Sequence, residues 1–456
     1  SPITSRCPAK PQASRPHLRM GALHPGLRPG GAAGYGRGRA TMAGMTEDTI
    51  FGPATRIVHH PYVPPAGFVA PQPGVFKAST VIFPSVAAMR SREWKDKSGY
   101  TYGLHGTPTT FTLEERLCAL EGGLQCVLVP SGLAAIANVA LALLQPGDEV
   151  LIPDNAYGPS KDLANGELAR FGIHHVLYDP LDPADLAARI TPATRLVWLE
   201  APGSVTMEFP DLCEQVRICR ARGVTSALDN TWGAGLAFAP FDLAGDGSGC
   251  LAVDISVHAL TKYPSGGGDV LMGSVITRDP ALHMKVKLTH MRLGLGIAAN
   301  DAEAVLRALP SIGLRYRAHD VAARQLAQWL QQQPAVAQVL HPVLPGAPGH
   351  AHWQALCGAA NDGHGAAAGL FSVMIDARFS QQQVDAFCDG LRLFKLGYSW
   401  GGPMSLVVPY QLASMRSRPA PHLQPGTLVR FSVGLEEVED LRQDLEQAMR
   451  GAFGAA

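Results

Sequence analysis

Nowhere does the chain hold a run of about eighteen apolar residues free of charge, so no segment reads as a membrane-spanning helix. Its 8 cysteines form no C-x-x-C pair and no short, evenly spaced framework, which excludes a disulfide scaffold. Cys118, Cys126, Cys213 and Cys219 lie instead in apolar segments, where a reduced thiol behaves as a small hydrophobe. That usage fits a reducing, cytoplasmic compartment. Acidic residues are missing from residues 1–44, which contain seven Lys or Arg, leaving 31 basic against 38 acidic residues in the rest. A mildly acidic body of this kind gives no reason to expect nucleic acid or an anionic membrane as a partner. With 46% hydrophobic and 17% charged residues over 456 positions, the composition is that of a globular enzyme with two or three packed units.

Residues 1–44 are rich in Pro, Gly and Arg and show no apolar period, so they cannot bury enough surface to order themselves. An Arg-rich, acid-poor leader fits a transit peptide, but this one is broken by Pro and Gly rather than amphipathic. The expectation is a disordered or non-native leader, from upstream read-through or an expression scar, ahead of a start at Met42 or Met45.

From about residue 110, helix-like and strand-like segments alternate. FTLEERLCALEGG precedes QCVLVP, SGLAAIANVALALL precedes EVLIPD, and DLCEQVRICRARG precedes VTSALDN. Short apolar strands between amphipathic helices predict an α/β fold, with a large, mostly parallel sheet covered on both faces. After about residue 300 the pattern changes. A long helix is expected around 314–333, a Gly/Pro/His-rich loop at 341–369, then LFSVMID, SQQQVDAFCDGL and TLVRFSVG as strand, helix and strand. This is the pattern of a smaller α+β domain. No internal repeat occurs.

Three places carry candidate chemistry. In DISVHALTKYPSGGG, Lys262 falls where an apolar strand hands over to a tight turn. It is either a surface lysine or an amine in a partly dry site, able to attack an aldehyde. Asp229 closes the apolar run VTSAL. It is either a turn aspartate or a carboxylate at a strand's carboxyl end, where pyridoxal 5′-phosphate (PLP) would need a partner for its ring nitrogen. Ser131-Gly132-Leu133 opens a helix directly after a strand: a plain capped start, or an anion site to which the Thr261 hydroxyl adds.

Taken together, Lys262 in ALTKY, Asp229 in LDNTWGAG, Tyr157 in DNAYGPS and PSGLAAI at 130–136 resemble the fold type I PLP-dependent enzymes of cysteine and methionine metabolism. The resemblance covers about residues 50–450. Within that family YGLHGTPTTFTLE, GYSWGG and TLVRFSVGLEEVEDL are most similar to cystathionine β-lyases. It implies that Lys262 holds PLP covalently and moves the Cα proton, with Asp229 on the ring nitrogen and Tyr157 stacked on the ring. Gly132, Leu133 and Thr261 would hold the phosphate, Arg430 the substrate carboxylate, and Ser399 and Trp400 the substrate side. Tyr102 would enter a neighbouring subunit's site, so the resemblance also implies a homo-oligomer, a tetramer in this family, with shared active sites. The implied organisation is an arm over 45–109, a PLP-binding domain over 110–300 and a small domain over 301–456.

The implied reaction is β-elimination from an amino-acid thioether. γ-Chemistry on the same fold, and a broader cysteine-conjugate β-lyase, are the alternatives. Ala259, where many γ-enzymes carry serine, and Trp400 favour β. One departure stands out: Leu104 occupies the place of the family's phosphate-binding arginine, so either His105 or backbone amides must compensate, and weaker cofactor retention is expected. No metal site is expected. His341, His350, His352 and His364 lie in a loop without a carboxylate or cysteine at ligand spacing. Gly363–Gly369 mimics a dinucleotide fingerprint, but a strand follows it where a helix should.

Overall fold

The structure, a computed structural model, describes residues 53–59, 67, 70–95 and 97–454; the leader anticipated over 1–44 lies outside them. Seven short apolar segments form the larger sheet: β1 (Gln125–Val129), β2 (Glu149–Pro153), β3 (His174–Tyr178), β4 (Thr194–Glu200), β5 (Thr225–Asp229), β6 (Ile255–Ala259) and β7 (Gly273–Thr277). Their order is β1-β7-β6-β5-β4-β2-β3. Every pairing from β6 to β3 is parallel, and only β7 runs against its two neighbours. All strands but β7 therefore end at one edge of the sheet, where the helix-bearing connections begin.

Two of those helices start where the sequence supplies a cap. Ser131 accepts from the Ala134 N–H at 3.0 Å ahead of helix Gly132–Leu143, and Asp211 accepts from Glu214 at 2.9 Å ahead of Leu212–Arg222. Each such cap contributes about 1 kcal/mol. The sheet is buried on both faces. Leu128, Leu151, Val197, Leu199 and Leu228 pack on one side, and Val127, Val150, Leu196, Ala227 and Val257 on the other. Burying each large apolar side chain contributes roughly 1.5–3 kcal/mol, which is why these strands read as unbroken apolar runs rather than alternating ones.

The second sheet has the order β10-β11-β12-β9-β8, with β8 (Val336–Leu340), β9 (Leu370–Asp376), β10 (Lys395–Leu396), β11 (Leu406–Tyr410) and β12 (Gly426–Ser432). Alternation along β12 places Val429 and Phe431 in a core of their own with Phe371, Val373 and Phe387. Leu428, Arg430 and Ser432 take the other face. That face turns to the larger sheet: Ser372, paired with Arg430, donates from its hydroxyl to the Val205 carbonyl at 2.5 Å.

The helix expected around 314–333 spans Ile312–Leu330, and helix Gln381–Gly390 follows a Ser380/Gln383 capping box. The loop expected over 341–369 contains helix His350–Cys357, which buries Trp353 and Cys357. Its cap position is Gly349, without a capping side chain, so the usual start signal is missing. Among the described residues no helix is long and apolar enough to cross a membrane.

Candidate active site

Parallel strands ending together line up the residues that follow them. Along the edge, in sheet order, stand Ser131-Gly132 after β1, Thr261-Lys262 after β6, Asp229 closing β5, Glu200 closing β4 and Tyr157 after β2. Five chemically capable segments separated by up to about 130 residues of chain thus share one rim, where α/β sheets bind ligands.

Lys262 sits in the turn after β6. Its Nζ donates to Ser399 Oγ at 3.1 Å and lies 5.6 Å from the centroid of the Trp400 ring. Burial, then the Arg430 charge, lowers its pKa to about 8, against an opposing pull from Asp229. The loop bearing Ser399 and Trp400 comes from the smaller sheet's side and presses close. A Cβ on Gly401 (φ +76°) would lie 3.2 Å from the Lys262 carbonyl carbon.

Asp229 Oδ1 accepts from the Thr231 N–H at 3.0 Å and from the Thr231 hydroxyl at 2.6 Å, and the Thr231 oxygen in turn accepts from the Ala259 N–H at 2.9 Å. One threonine thereby ties the carboxylate of β5 to the end of β6. Below this, the buried Glu121 accepts from Ser256 Oγ at 2.6 Å and Asn230 Nδ2 at 3.2 Å and meets His258 Nδ1 at 2.8 Å, fixing the same two strand ends from beneath.

Glu200 was not singled out in the sequence. It is the register partner of Asp229 across β4 and β5, and its Oε2 accepts the Tyr157 N–H at 2.9 Å. Burial, then the charge of Asp229, pushes Glu200 up to about 8. Burial also raises Asp229, restrained by the Thr231 hydrogen bonds and by His258 and Lys262. Two adjacent buried carboxyls do not both ionise readily. The signal in the sequence was the same as for Asp229, an acid closing an apolar run.

Helix Gly132–Leu143 begins against the end of β6, where a Cβ on Gly132 would come 2.7 Å from the Ala259 Cβ. Only glycine lets the first, unpaired N–H groups of that helix stand so near the Lys262 turn. The Thr261 hydroxyl donates to the Met272 carbonyl at 3.3 Å.

Arg430 reaches in from β12. It is 7% exposed, donates from one Nη to the Tyr398 carbonyl at 2.9 Å and stacks on Tyr410 at 5.4 Å, but its Nε is buried without a partner. A buried, half-paired guanidinium is costly unless an anion completes it. Tyr157 stands between these groups, 42% exposed, its pKa raised by burial and by Asp229, Glu200 and Tyr410 while Arg430 opposes.

Tyr102 is not part of this constellation. It is 46% exposed on a separate groove with Lys77, Leu104 and Gly296, beside a 3₁₀ turn at Gly103–His105. His105 does not supply a cation there. Its Nδ1 meets Thr101 Oγ1 at 2.7 Å, and burial, Lys287 and Arg92 lower its pKa. In the His-rich stretch, His350 Nδ1 meets the Pro342 carbonyl at 2.9 Å and His352 faces Asp211, so the two rings of that pair have separate partners.

A lysine of depressed pKa, a carboxylate on the same rim, a glycine-walled helix start and an unsatisfied arginine fit a phosphorylated pyridine aldehyde and an amino-acid carboxylate. The comparisons agree. The family profile for Cys/Met metabolism PLP-dependent enzymes matches residues 54–450. Cystathionine β-lyase of Salmonella typhimurium is 37% identical over 81% of this chain and 91% of its own length, and cystathionine β-lyase MetC of Escherichia coli is 35% identical over the same shares. A crystal structure of cystathionine γ-synthase from Xanthomonas oryzae pv. oryzae, in complex with aminoacrylate and cysteine, superposes with a TM-score of 0.78 at 29% identity. It covers 90% of this chain and all of that one. The chain belongs to the Cys/Met metabolism PLP-dependent enzymes.

Proposed function

We propose that the protein is a carbon–sulfur lyase that carries out β-elimination on L-cystathionine, taking up water and releasing homocysteine, pyruvate and ammonia. The carrying observation is the placement of Lys262 Nζ, at 3.1 Å from Ser399 Oγ, with its pKa lowered to about 8 in a site that Asp229 and Arg430 also charge.

Bound PLP supplies an electron sink for the pair left at Cα. Everything else falls to the chain. Lys262 holds the cofactor through its amine and, once free, takes the Cα proton on Nζ, a role its depressed pKa suits near neutrality. Asp229 would hold a positive charge on the ring nitrogen. Tyr157 covers the ring face and excludes water. The N–H groups of Gly132 and Leu133 and the hydroxyl of Thr261 would hold the cofactor phosphate. Arg430 would take the α-carboxylate through its guanidinium, and Ser399 and Trp400 would close the thioether side. The Cβ–S bond then breaks toward sulfur, because a thiolate is a good leaving group.

Tyr102, exposed on a groove separate from the Lys262 contacts, is read as a contribution to a neighbouring subunit's site in a homo-oligomer with the tetramer as its expected form. The free thiols of Cys118, Cys126, Cys213 and Cys219 support action in the cytoplasm, whereas Cys250 is disulfide-bonded. γ-Chemistry is the second reading, favoured by the γ-synthase likeness. Incubation of the PLP-loaded protein with L-cystathionine and identification of the keto acid by mass separates the two. Pyruvate with homocysteine is expected; 2-oxobutyrate with cysteine would overturn the β assignment.

A further inference from the structure

Outside the rim, a buried polar cluster joins the loop between β11 and β12 to the larger sheet's side. Arg416, in that loop, donates from Nε to Asp154 Oδ2 at 2.8 Å and from Nη1 to Glu208 Oε1 at 2.6 Å. The side chains of Asp154 and Glu208 are fully buried and that of Arg416 is 9% exposed. Ser417 donates to the second oxygen of Asp154 from both its N–H, at 3.0 Å, and its hydroxyl, at 2.6 Å. Glu208 is further held by Asn155 Nδ2 at 2.8 Å, by the Thr206 hydroxyl at 2.5 Å and by His422 Nε2 at 2.8 Å. Burial opposes charge at Glu208, yet His422 and Arg416 outweigh it and hold the carboxyl at about 2. Lys161 Nζ adds a third tie, to the Asp154 carbonyl at 2.8 Å and the Met415 carbonyl at 2.6 Å.

The two ends of this cluster bear on the active site. Asp154 and Asn155 begin the turn that presents Tyr157, and Lys161 lies one helical turn beyond it. Glu208 closes the segment after Glu200, in which Val205 (φ +68°) and Met207 (φ +58°) hold left-handed backbone that such residues avoid without support. On the other side, the loop bearing Arg416 leaves β11 at Tyr410, the ring on which Arg430 stacks, and re-enters at β12, which carries Arg430 itself. Tyr157 and Arg430 are close enough to act on one another's charge.

We propose that Arg416 is a positioning residue: by bridging Asp154 and Glu208 it fixes the spacing between Tyr157 on the larger sheet and Arg430 on the smaller one. Cofactor stacking and carboxylate capture are thereby set together. A planar guanidinium bridges two carboxylates with two fixed N–H directions, which a lysine ammonium cannot reproduce. The proposal rests on the reading of Tyr157 and Arg430 as cofactor and substrate contacts.

The test compares wild type, Arg416→Lys, Arg430→Lys and the double variant for the KM and kcat of L-cystathionine, the Kd of PLP and Tm. Expected for Arg416→Lys is a rise in KM of about tenfold and a weaker PLP Kd, with kcat changed less than about twofold. The double variant should have a KM no worse than Arg430→Lys alone, because the latch acts through Arg430 and effects within one network do not add. Glu208→Gln, which keeps the volume and removes one charge, should reproduce the pattern and serves where Arg416→Lys fails to fold. A lowered Tm with unchanged KM and PLP Kd in the folded variants would overturn the proposal, as would additive KM effects. If Arg430→Lys itself leaves KM unchanged, the site assignment falls and the latch with it.

Discussion

The two halves of the active site are built to different standards of completeness. At the rim of the larger sheet Asp229 is held by Thr231, Thr231 by the end of β6, and Glu200 by the Tyr157 N–H, although Asn230 Oδ1 and His258 Nε2 beside them are buried without a partner. On the smaller sheet Arg430 is buried with an Nε that has no partner. The first arrangement suits a group that stays, and the second suits a ligand that comes and goes. A resident cofactor permits a prepaid cradle, whereas a substrate carboxylate must find a donor still open. The buried unsatisfied donor costs stability of about 1–3 kcal/mol until an anion arrives, which is one way binding energy is directed to the reacting end of a substrate.

Breaking the cradle should have the largest effect. Lys262→Ala would remove the proposed covalent anchor and proton carrier together, and kcat for pyruvate release should fall by roughly 10³–10⁴-fold. Loss smaller than tenfold would remove Lys262 from the chemistry. Breaking the open half should be milder and of another kind. Arg430→Lys keeps the charge but loses the planar pair of donors, so kcat/KM should fall by about 10²-fold, mostly through KM, with PLP affinity retained. Equal loss of PLP affinity would mean that the two halves do not divide the work as described.

The smallest effect sharpens the comparison through pH. The Lys262 ammonium is disfavoured in the folded site, so its pKa lies near 8 instead of 10.5, and the neutral amine gains with rising pH. At pH 7 about a tenth of the amine is neutral, against roughly one part in 3,000 for an unperturbed lysine. The rate at which PLP adds to the apoprotein should therefore rise from pH 6 to 8 and level off above it. A rise continuing toward pH 10 would show that the site does not depress Lys262.

Much of the rim could be read from the chain because parallel sheets announce themselves locally. An apolar run ending in Asp229, another passing into Lys262 and a third running into Ser131-Gly132 each place a functional group at a strand end, and the structure puts all three at one edge. Glu200 ends its run in the same way. Its significance depends on β4 lying beside β5, a pairing between segments some thirty residues apart that no local pattern states. Arg416 was less visible still. It lies in a Ser/Arg/Pro-rich loop, and its partners Asp154 and Glu208 are 262 and 208 residues away in sequence. Helix His350–Cys357 was hidden by Gly, Pro and His around it and by the absence of a capping side chain. Periodicity reports what a segment does alone, and long-range polar networks leave no period.

The most direct measurement is borohydride reduction of the PLP-loaded protein, followed by peptide mapping of the reduced pyridoxyl group. The account predicts one modified peptide, carrying the label on Lys262. Label on another lysine, such as Lys161 or Lys77, with Lys262 unmodified, would contradict it.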